Sequence, residues 1–350
     1  MLKSGTLALF TLESAGDWFL NSGIQEPNGG VARYYRSDLA RNAGVSNEIT
    51  GYSVSFLIYA YQRTSKPEYL AAALRSARFL TREAWRPDLQ LFPFEPGSGA
   101  AYFFDSGIIA RGLLAAWRAT QETEFLDIAI ATGCGMLKYF RAADELVPIL
   151  WLPSRQPVPY ESRWSAAPGC YQLKSAMAWH DLFEITGDSN FCKEYEAALA
   201  SALRDHEAFL PGDALPERVM DRLHAYLYFL EGLLPGAERP ECRAAMHIGI
   251  DRVAGYLREI APRFARSDVY AQLLRMRLFA GSPVAAGESS AAAAFQFDSE
   301  DKRFLGGFGF GTQAGATMPF VNPVSTAFCA QALDLASQAE ALVLDRHSLI

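Results

Sequence analysis

Residues 48–63 read EITGYSVSFLIYAYQR, residues 105–119 read DSGIIARGLLAAWRA and residues 171–185 read YQLKSAMAWHDLFEI. Each is about four helical turns long, apolar nearly all round, and opened by a polar or aromatic residue. Each ends in a short polar turn: Thr64-Ser-Lys-Pro67, Thr120-Gln-Glu-Thr123 and Thr186-Gly-Asp-Ser189. A second, one-sided helix follows, opened by Glu68-Tyr69-Leu70, Glu124-Phe125-Leu126 or Asn190-Phe191-Cys192. In the first of these, Leu70, Leu74, Ala77, Phe79 and Leu80 mark a single face. A helix apolar on every side is buried, and a one-sided helix lies against solvent, so the unit is an inner helix followed by an outer one.

The unit recurs along the chain. Residues 218–233 pair with 241–260, and residues 268–279 with a shorter Ala-rich helix near 284–295. The amphipathic helix at 2–20 has no predecessor, the helix at 323–344 has no successor, and the two complete one another. The expected fold is all-α: six helical hairpins forming one ring over residues 1–350, the N-terminal outer helix closing on the C-terminal inner helix. Inner helices start near 48, 105, 171, 219, 268 and 323, a spacing longer than that of the common helical solenoids. The extra length falls in loops rich in Gly, Pro and aromatics at 23–47, 86–104, 147–169 and 281–322, which a ring gathers at one end around a funnel. The runs 90–94 and 304–310 are read as small hairpin strands.

Composition excludes several classes. Of the 350 residues, 50% are hydrophobic and 20% charged, which rules out a disordered chain and a charge-rich coiled coil. The 32 Lys and Arg against 39 Asp and Glu give −7 with no basic block, so a nucleic-acid partner is not expected. The cysteines at 134, 170, 192, 242 and 329 are scattered and odd in number, and the histidines at 180, 206, 224, 247 and 347 lack close ligand spacing. Neither a disulfide framework nor a metal is expected, and no cofactor. The apolar stretch near 7–12 is followed by Glu13 and Asp17 without a small-residue cleavage site, and no window approaches a membrane span. The expectation is therefore a cytoplasmic protein; the oligomeric state is left open.

Five motifs carry a resemblance: Glu48-Ile-Thr-Gly-Tyr52, Phe104-Asp-Ser-Gly107, Leu223-His-Ala-Tyr226, Asp268-Val-Tyr-Ala-Gln272 and Val321-Asn-Pro-Val-Ser-Thr-Ala-Phe328. On these the chain resembles the six-hairpin, or (α/α)6, toroids of bacterial carbohydrate-active enzymes, in particular toroid proteins found with bacterial exopolysaccharide functions. The resemblance implies an architecture more firmly than an activity. The acidic initiation motif of terpene cyclases is absent, as are the zinc set of protein prenyltransferases and the Arg/Glu/His pattern of sugar 2-epimerase toroids.

Six helix N-termini around one funnel favour an anionic ligand, such as a uronate or sugar phosphate. Glu48 and Asp105 are the candidate catalytic acids. Tyr35, Arg36, Trp164, Tyr171, Lys174, His224, Asp268, Tyr270, Gln272 and Asn322 are the candidate substrate-binding residues. Each has a plainer role open to it. The acids and Asn322 suit helix caps or first turns, His224 suits a satisfied core histidine, and the tyrosines suit packing. Lys174, one turn into an apolar helix, needs a partner or a wet cavity. Two carboxyls on different helices suit glycoside hydrolysis of an acidic or bacterial polysaccharide fragment. Tyr or His beside a cation would suit a uronate lyase or epimerase. A non-catalytic toroid binding a glycan or a partner protein in polysaccharide assembly is the third reading.

Overall fold

The computed structural model describes residues 4–142, 145–161, 163–338 and 344–350, with side chains from residue 11 onward. Its helices are α1 (Ser4–Asn21), α2 (Asn47–Thr64), α3 (Pro67–Phe79), α4 (Phe103–Thr120), α5 (Thr123–Tyr139) and α6 (Leu173–Thr186). Then come α7 (Ser189–Asp205), α8 (Pro216–Gly232), α9 (Pro240–Ile260), α10 (Ser267–Phe279), α11 (Glu288–Ala293) and α12 (Pro323–Ser337). The even-numbered helices pack side by side, α2 on α4, α4 on α6, α6 on α8, α8 on α10, α10 on α12 and α12 back on α2, while α1 packs on α12. The inner ring is therefore closed.

The polar turn is built alike in the first three hairpins. Thr64, Thr120 and Thr186 each donate their hydroxyl to the carbonyl four residues back, at 2.7, 2.9 and 2.8 Å. The same oxygens accept from the N–H of Lys66, Glu122 and Asp188. Between them Ser65, Gln121 and Gly187 adopt left-handed backbone, so the chain reverses within two residues. Tyr69, Phe125 and Phe191 then bury the next helix at no more than 1% exposure.

Close backbone approach sets the spacing of the inner ring. A Cβ on Gly112 of α4 would stand 2.5 Å from the Gly51 carbonyl oxygen of α2, and one on Gly107 would stand 2.4 Å from the Ser175 carbonyl oxygen of α6. Gly232 meets Leu173 and Lys174 in the same way. Such contact leaves no room for side chains between helices, and backbones meet directly.

Because inner helices run one way and outer helices return, the long connections lie at the N-terminal end of the inner ring. Short antiparallel ladders brace them. Tyr35–Arg36 pairs with Phe320–Val321 and Arg41–Asn42, Ala100–Tyr102 with Ile149–Trp151, and Phe264–Arg266 with Gly311–Gln313. The strands thus lie beside, not within, the runs 90–94 and 304–310, whose residues make only isolated bridges at Leu91, Phe308 and Gly309. The last inner helix ends at Ser337, and the remainder of its expected span to 344 includes 339–343, outside the described residues.

Residues 344–350 enter the ring from the opposite end. Arg346 pairs with Asp181 at 3.1 Å and also holds Glu184. Deeper in, the Ile350 carbonyl accepts from Lys174 Nζ at 3.0 Å, and Leu349 and Ile350 are buried. This segment forms a floor inside the ring, bonded to Lys174 of α6, Arg275 of α10 and Gln331 of α12.

Candidate functional site

Glu48 and Asp105 occupy the first turns of α2 and α4. Neither is a cap: Ser46 caps α2 by accepting from Ile49 N–H, and Tyr102 precedes α4 without a side-chain cap. Asn47 anchors the start of α2 by donating to the Pro93 carbonyl at 2.7 Å. Asp105 is 4% exposed, and its Oδ2 has no hydrogen-bond partner. Among the described residues no ion pair or hydrogen bond engages the Glu48 side chain. Burial pushes Glu48 up to about 7, opposed by the nearby charge of Arg33. Asp105 is raised well above the usual carboxylate range by burial and then by the charge of Glu48, again opposed by Arg33. The two acids hold a proton into the neutral range between them, as interacting carboxyls do. Arg33, which the sequence does not single out, is itself fixed by Glu95 at 3.1 Å and by the Phe94 ring at 4.6 Å.

The wall facing this pair is aromatic. Tyr52 and Tyr228 lie within electrostatic reach of each other and of Glu48, and both are buried. The Tyr228 ring packs 4.7 Å from Phe104 and 4.4 Å from His224. Tyr171 hydrogen-bonds the Ala167 carbonyl and packs 5.0 Å from Trp164, with Asp105 among the charges it feels.

His224 lies beyond Tyr228. Its Nδ1 is 2.7 Å from Gln272 Oε1 and 3.5 Å from Asp268 Oδ2. Burial pushes the ring down to about 4 against the pull of Asp268, so it is neutral at pH 7. A neutral ring facing two oxygen acceptors carries its proton on Nδ1. Nε2 is then the basic nitrogen, with no hydrogen-bond partner among the described residues. Asp268 is held by Arg266 at 2.6 Å, and Arg266 also reaches Asp221 at 2.7 Å.

The sequence candidates therefore divide. Glu48, Asp105, Tyr171, Trp164, His224, Asp268 and Gln272 form one connected group near the N-terminal ends of the inner helices, joined through Tyr228. Lys174 sits deeper, wholly buried, 2.9 Å from Glu231, which pairs in turn with Arg275 at 2.5 Å. Burial pushes this lysine down to about 7. Tyr270 faces the outer layer, its ring against Phe295. Asn322 is spent on capping α12, accepting from Val324 and Ser325 N–H. Tyr35 is buried against Phe304, and Arg36 is paired with Asp38 on the rim. Arg33, Tyr52, Tyr228, Arg222 and Arg266 are functional candidates that sequence reasoning did not assign. Tyr52 and Tyr228 lie one turn after Glu48 and His224 on the same helices, a spacing that marks them. Among the described residues His180, Asp181 and Glu184 alone bring metal-ligating atoms together. They lie at the floor end, where Arg111 and Arg346 already engage Asp181.

No family model matches the sequence, and no curated relative does. Solved structures do. The chain is similar to a sugar epimerase from a ruminal bacterium, at 11% identity, over 96% of this chain and 100% of that one, with a TM-score of 0.69. It is similar to cellobiose 2-epimerase from Bacillus thermoamylovorans B4167, at 13% identity over 93% and 98%, with a TM-score of 0.67. It is also similar to an unsaturated glucuronyl hydrolase from Bacillus sp. GL1, at 12% identity over 93% and 96%, with a TM-score of 0.66. The fold is an (α/α)6 toroid. At these identities the likeness carries the architecture and not the activity. No helix of the chain is long and apolar enough to cross a membrane.

Proposed function

We propose that this protein is a saccharide-processing enzyme, a glycosidase-type hydrolase whose substrate is a fragment of an acidic or bacterial polysaccharide. The observation that carries the reading is a pair of carboxyls in the first turns of adjacent inner helices, neither of them ion-paired among the described residues. One member, still protonated near neutral pH, donates to the departing glycosidic oxygen as general acid. The other, ionised, activates water or attacks the sugar carbon. Tyr171, Trp164, His224, Asp268 and Gln272 then shape the sugar site, with the aromatic faces stacking on the ring. Solved structures similar to this chain include sugar epimerases as well as a glucuronyl hydrolase, so the choice of hydrolysis rests on the carboxyl pair. A bacterial exopolysaccharide is the polymer this reading has in view, from the resemblance of the sequence motifs, and five free cysteines suit a cytoplasmic setting.

The test is turnover of defined acidic oligosaccharides, read as newly formed reducing ends, with Glu48→Gln and Asp105→Asn alongside the wild type. Turnover that falls at least about a thousandfold in both, with folding intact, is the expected result. Unchanged turnover in either variant sinks the assignment.

One observation favours a second reading. The unengaged Nε2 of a neutral His224 is a competent base for removing a proton from carbon, as in a uronate lyase or an epimerase. Uptake of solvent deuterium into recovered sugar, abolished in His224→Asn, would select it. Saturable glycan binding without turnover would select the non-catalytic reading, a toroid serving polysaccharide biosynthesis.

A further inference from the structure

A cavity of about 520 Å³ opens between the loop before α6 and the N-terminal half of α8. Four guanidiniums line it, those of Arg163, Arg218, Arg222 and Arg266, against two carboxylates, Asp213 and Asp221, together with Trp164. This clustering stands against a chain whose net charge is −7. Three of the four have carboxylate partners. Arg266 is held between Asp268 and Asp221, and Arg218 lies 3.3 Å from Asp213. Arg163 is 3.6 Å from Glu161, with both side chains 58% exposed, an arrangement that contributes little.

Arg222 differs. Its Nε donates to the Phe209 carbonyl at 2.8 Å, and its guanidinium lies 4.1 Å from the centre of the Phe209 ring. No ion pair reaches it among the described residues, and its four Nη–H donors have no hydrogen-bond partner there. Burial lowers its hold on the proton, with Asp213 acting only through space. The position is built: Gly212, at φ +62°, leaves the space it fills, and a Cβ there would stand 2.1 Å from Arg222 Nε. A partly desolvated cation with open donors is stabilised by an incoming oxyanion, which a guanidinium can bind in a fork.

The cavity also has a fixed relation to the candidate site. Arg218 and Arg222 lie one turn apart on α8, and His224 follows by two residues. Arg266 joins the cavity wall to Asp268 beside His224, and Arg163 stands next to Tyr102, which feels the charge of Asp105.

We propose that this cavity is the subsite for an anionic group of the substrate, with Arg222 as its principal ligand, Arg163 as a second cation and Trp164 as the stacking face for the sugar that carries it. The chemistry recognised is an oxyanion on a sugar: a uronate carboxylate, or a sulfate or phosphate ester. The inference rests on the saccharide reading above and names the class of saccharide.

Binding tests it without turnover. Isothermal titration and melting shifts would use glucuronate, digalacturonate, glucose 6-sulfate, glucose 6-phosphate and glucose, on the wild type and on Arg222→Gln, Arg222→Lys and Arg243→Gln. The expected result is that at least one acidic sugar binds and glucose does not, with affinity falling as KCl is raised. Arg222→Gln then loses about ten- to a hundredfold in affinity, Arg222→Lys recovers part of it, and Arg243→Gln, on the outer helix α9, keeps it. Which acidic sugar binds separates carboxylate from sulfate or phosphate ester. Glucose binding as tightly as the acidic sugars, no binding of any acidic sugar, or affinity unchanged in Arg222→Gln would each overturn the proposal. If Arg222→Gln fails to fold, the Arg222→Lys and Arg163→Gln affinities and the salt dependence decide. Loss of hydrolysis as a reading, through unchanged turnover in Glu48→Gln, leaves this binding result standing.

Discussion

The Gly51 carbonyl oxygen lies 2.5 Å from the place where a Cβ on Gly112 would stand. This contact joins α2 to α4 and so sets how far Glu48 stands from Asp105. Gly112→Ala should force the two helices apart at a cost of about 1–3 kcal/mol, the usual range for overpacking. Turnover should fall further than stability explains, because the carboxyls move relative to each other. Denaturant unfolding and kcat/KM on one substrate check both halves; a variant with lowered stability and unaltered kcat/KM would refute the geometric link.

The acid pair makes stability depend on pH with a definite sign. Glu48 is held near 7 in the folded chain against 4.5 for an ordinary glutamate, so the folded state binds the extra proton. This contribution is fully present below pH about 4 and is lost as pH rises through 7. Glu48→Gln should therefore be the more stable protein at pH 8, by up to about 3 kcal/mol, and should lose that advantage at pH 4. Urea unfolding at the two pH values reads the difference. Asp105→Asn should move in the same direction, since its carboxyl is raised as well.

Lys174, Glu231 and Arg275 form a buried set in which one carboxylate serves two cations. Removing the shared anion is the more damaging change. Glu231→Gln should cost about 3–5 kcal/mol, and Lys174→Met less, because Arg275 still engages Glu231. Thermal unfolding orders the two variants. Substrate KM in Lys174→Met asks whether this lysine acts on the ligand at all; an unchanged KM with a lower Tm assigns it to the floor inside the ring.

The floor itself depends on Arg346. In Arg346→Ala, Asp181 keeps Arg111 at 3.1 Å and His347 at 3.4 Å, and Ser348 keeps Gln331, but residues 344–350 lose one of their lateral anchors. Hydrogen exchange at Ile350, whose N–H donates to Gln331 Oε1 at 3.3 Å, should speed up well before the ring helices exchange. Equal protection of Ile350 in both proteins would show that the remaining contacts, from His347, Gln331 and Lys174, seat the segment without Arg346.

Much of the architecture is readable in the chain. Thr64, Thr120 and Thr186 each follow a helix apolar on every side and precede an aromatic. Hydrophobic period and turn chemistry are local, so inner and outer helices, their order and the end that holds the loops follow from residues near in sequence. The short ladders are less legible, because two or three residues carry no period and pair with partners far along the chain. Asp105 could be read as a cap until the structure put Tyr102 at that position.

What the sequence by itself determined is the ring and the level at which Glu48, Asp105, His224 and Asp268 stand in it. The tertiary structure decided which of those side chains are left without a partner. Lys174 and Asn322 have suitable chemistry but are engaged by Glu231 and by the start of α12, whereas the Glu48 side chain and the Arg222 Nη donors have no ion-pair or hydrogen-bond partner among the described residues. Partnership depends on atoms brought close by packing between distant helices, and on the loss of water around them, neither of which local sequence encodes.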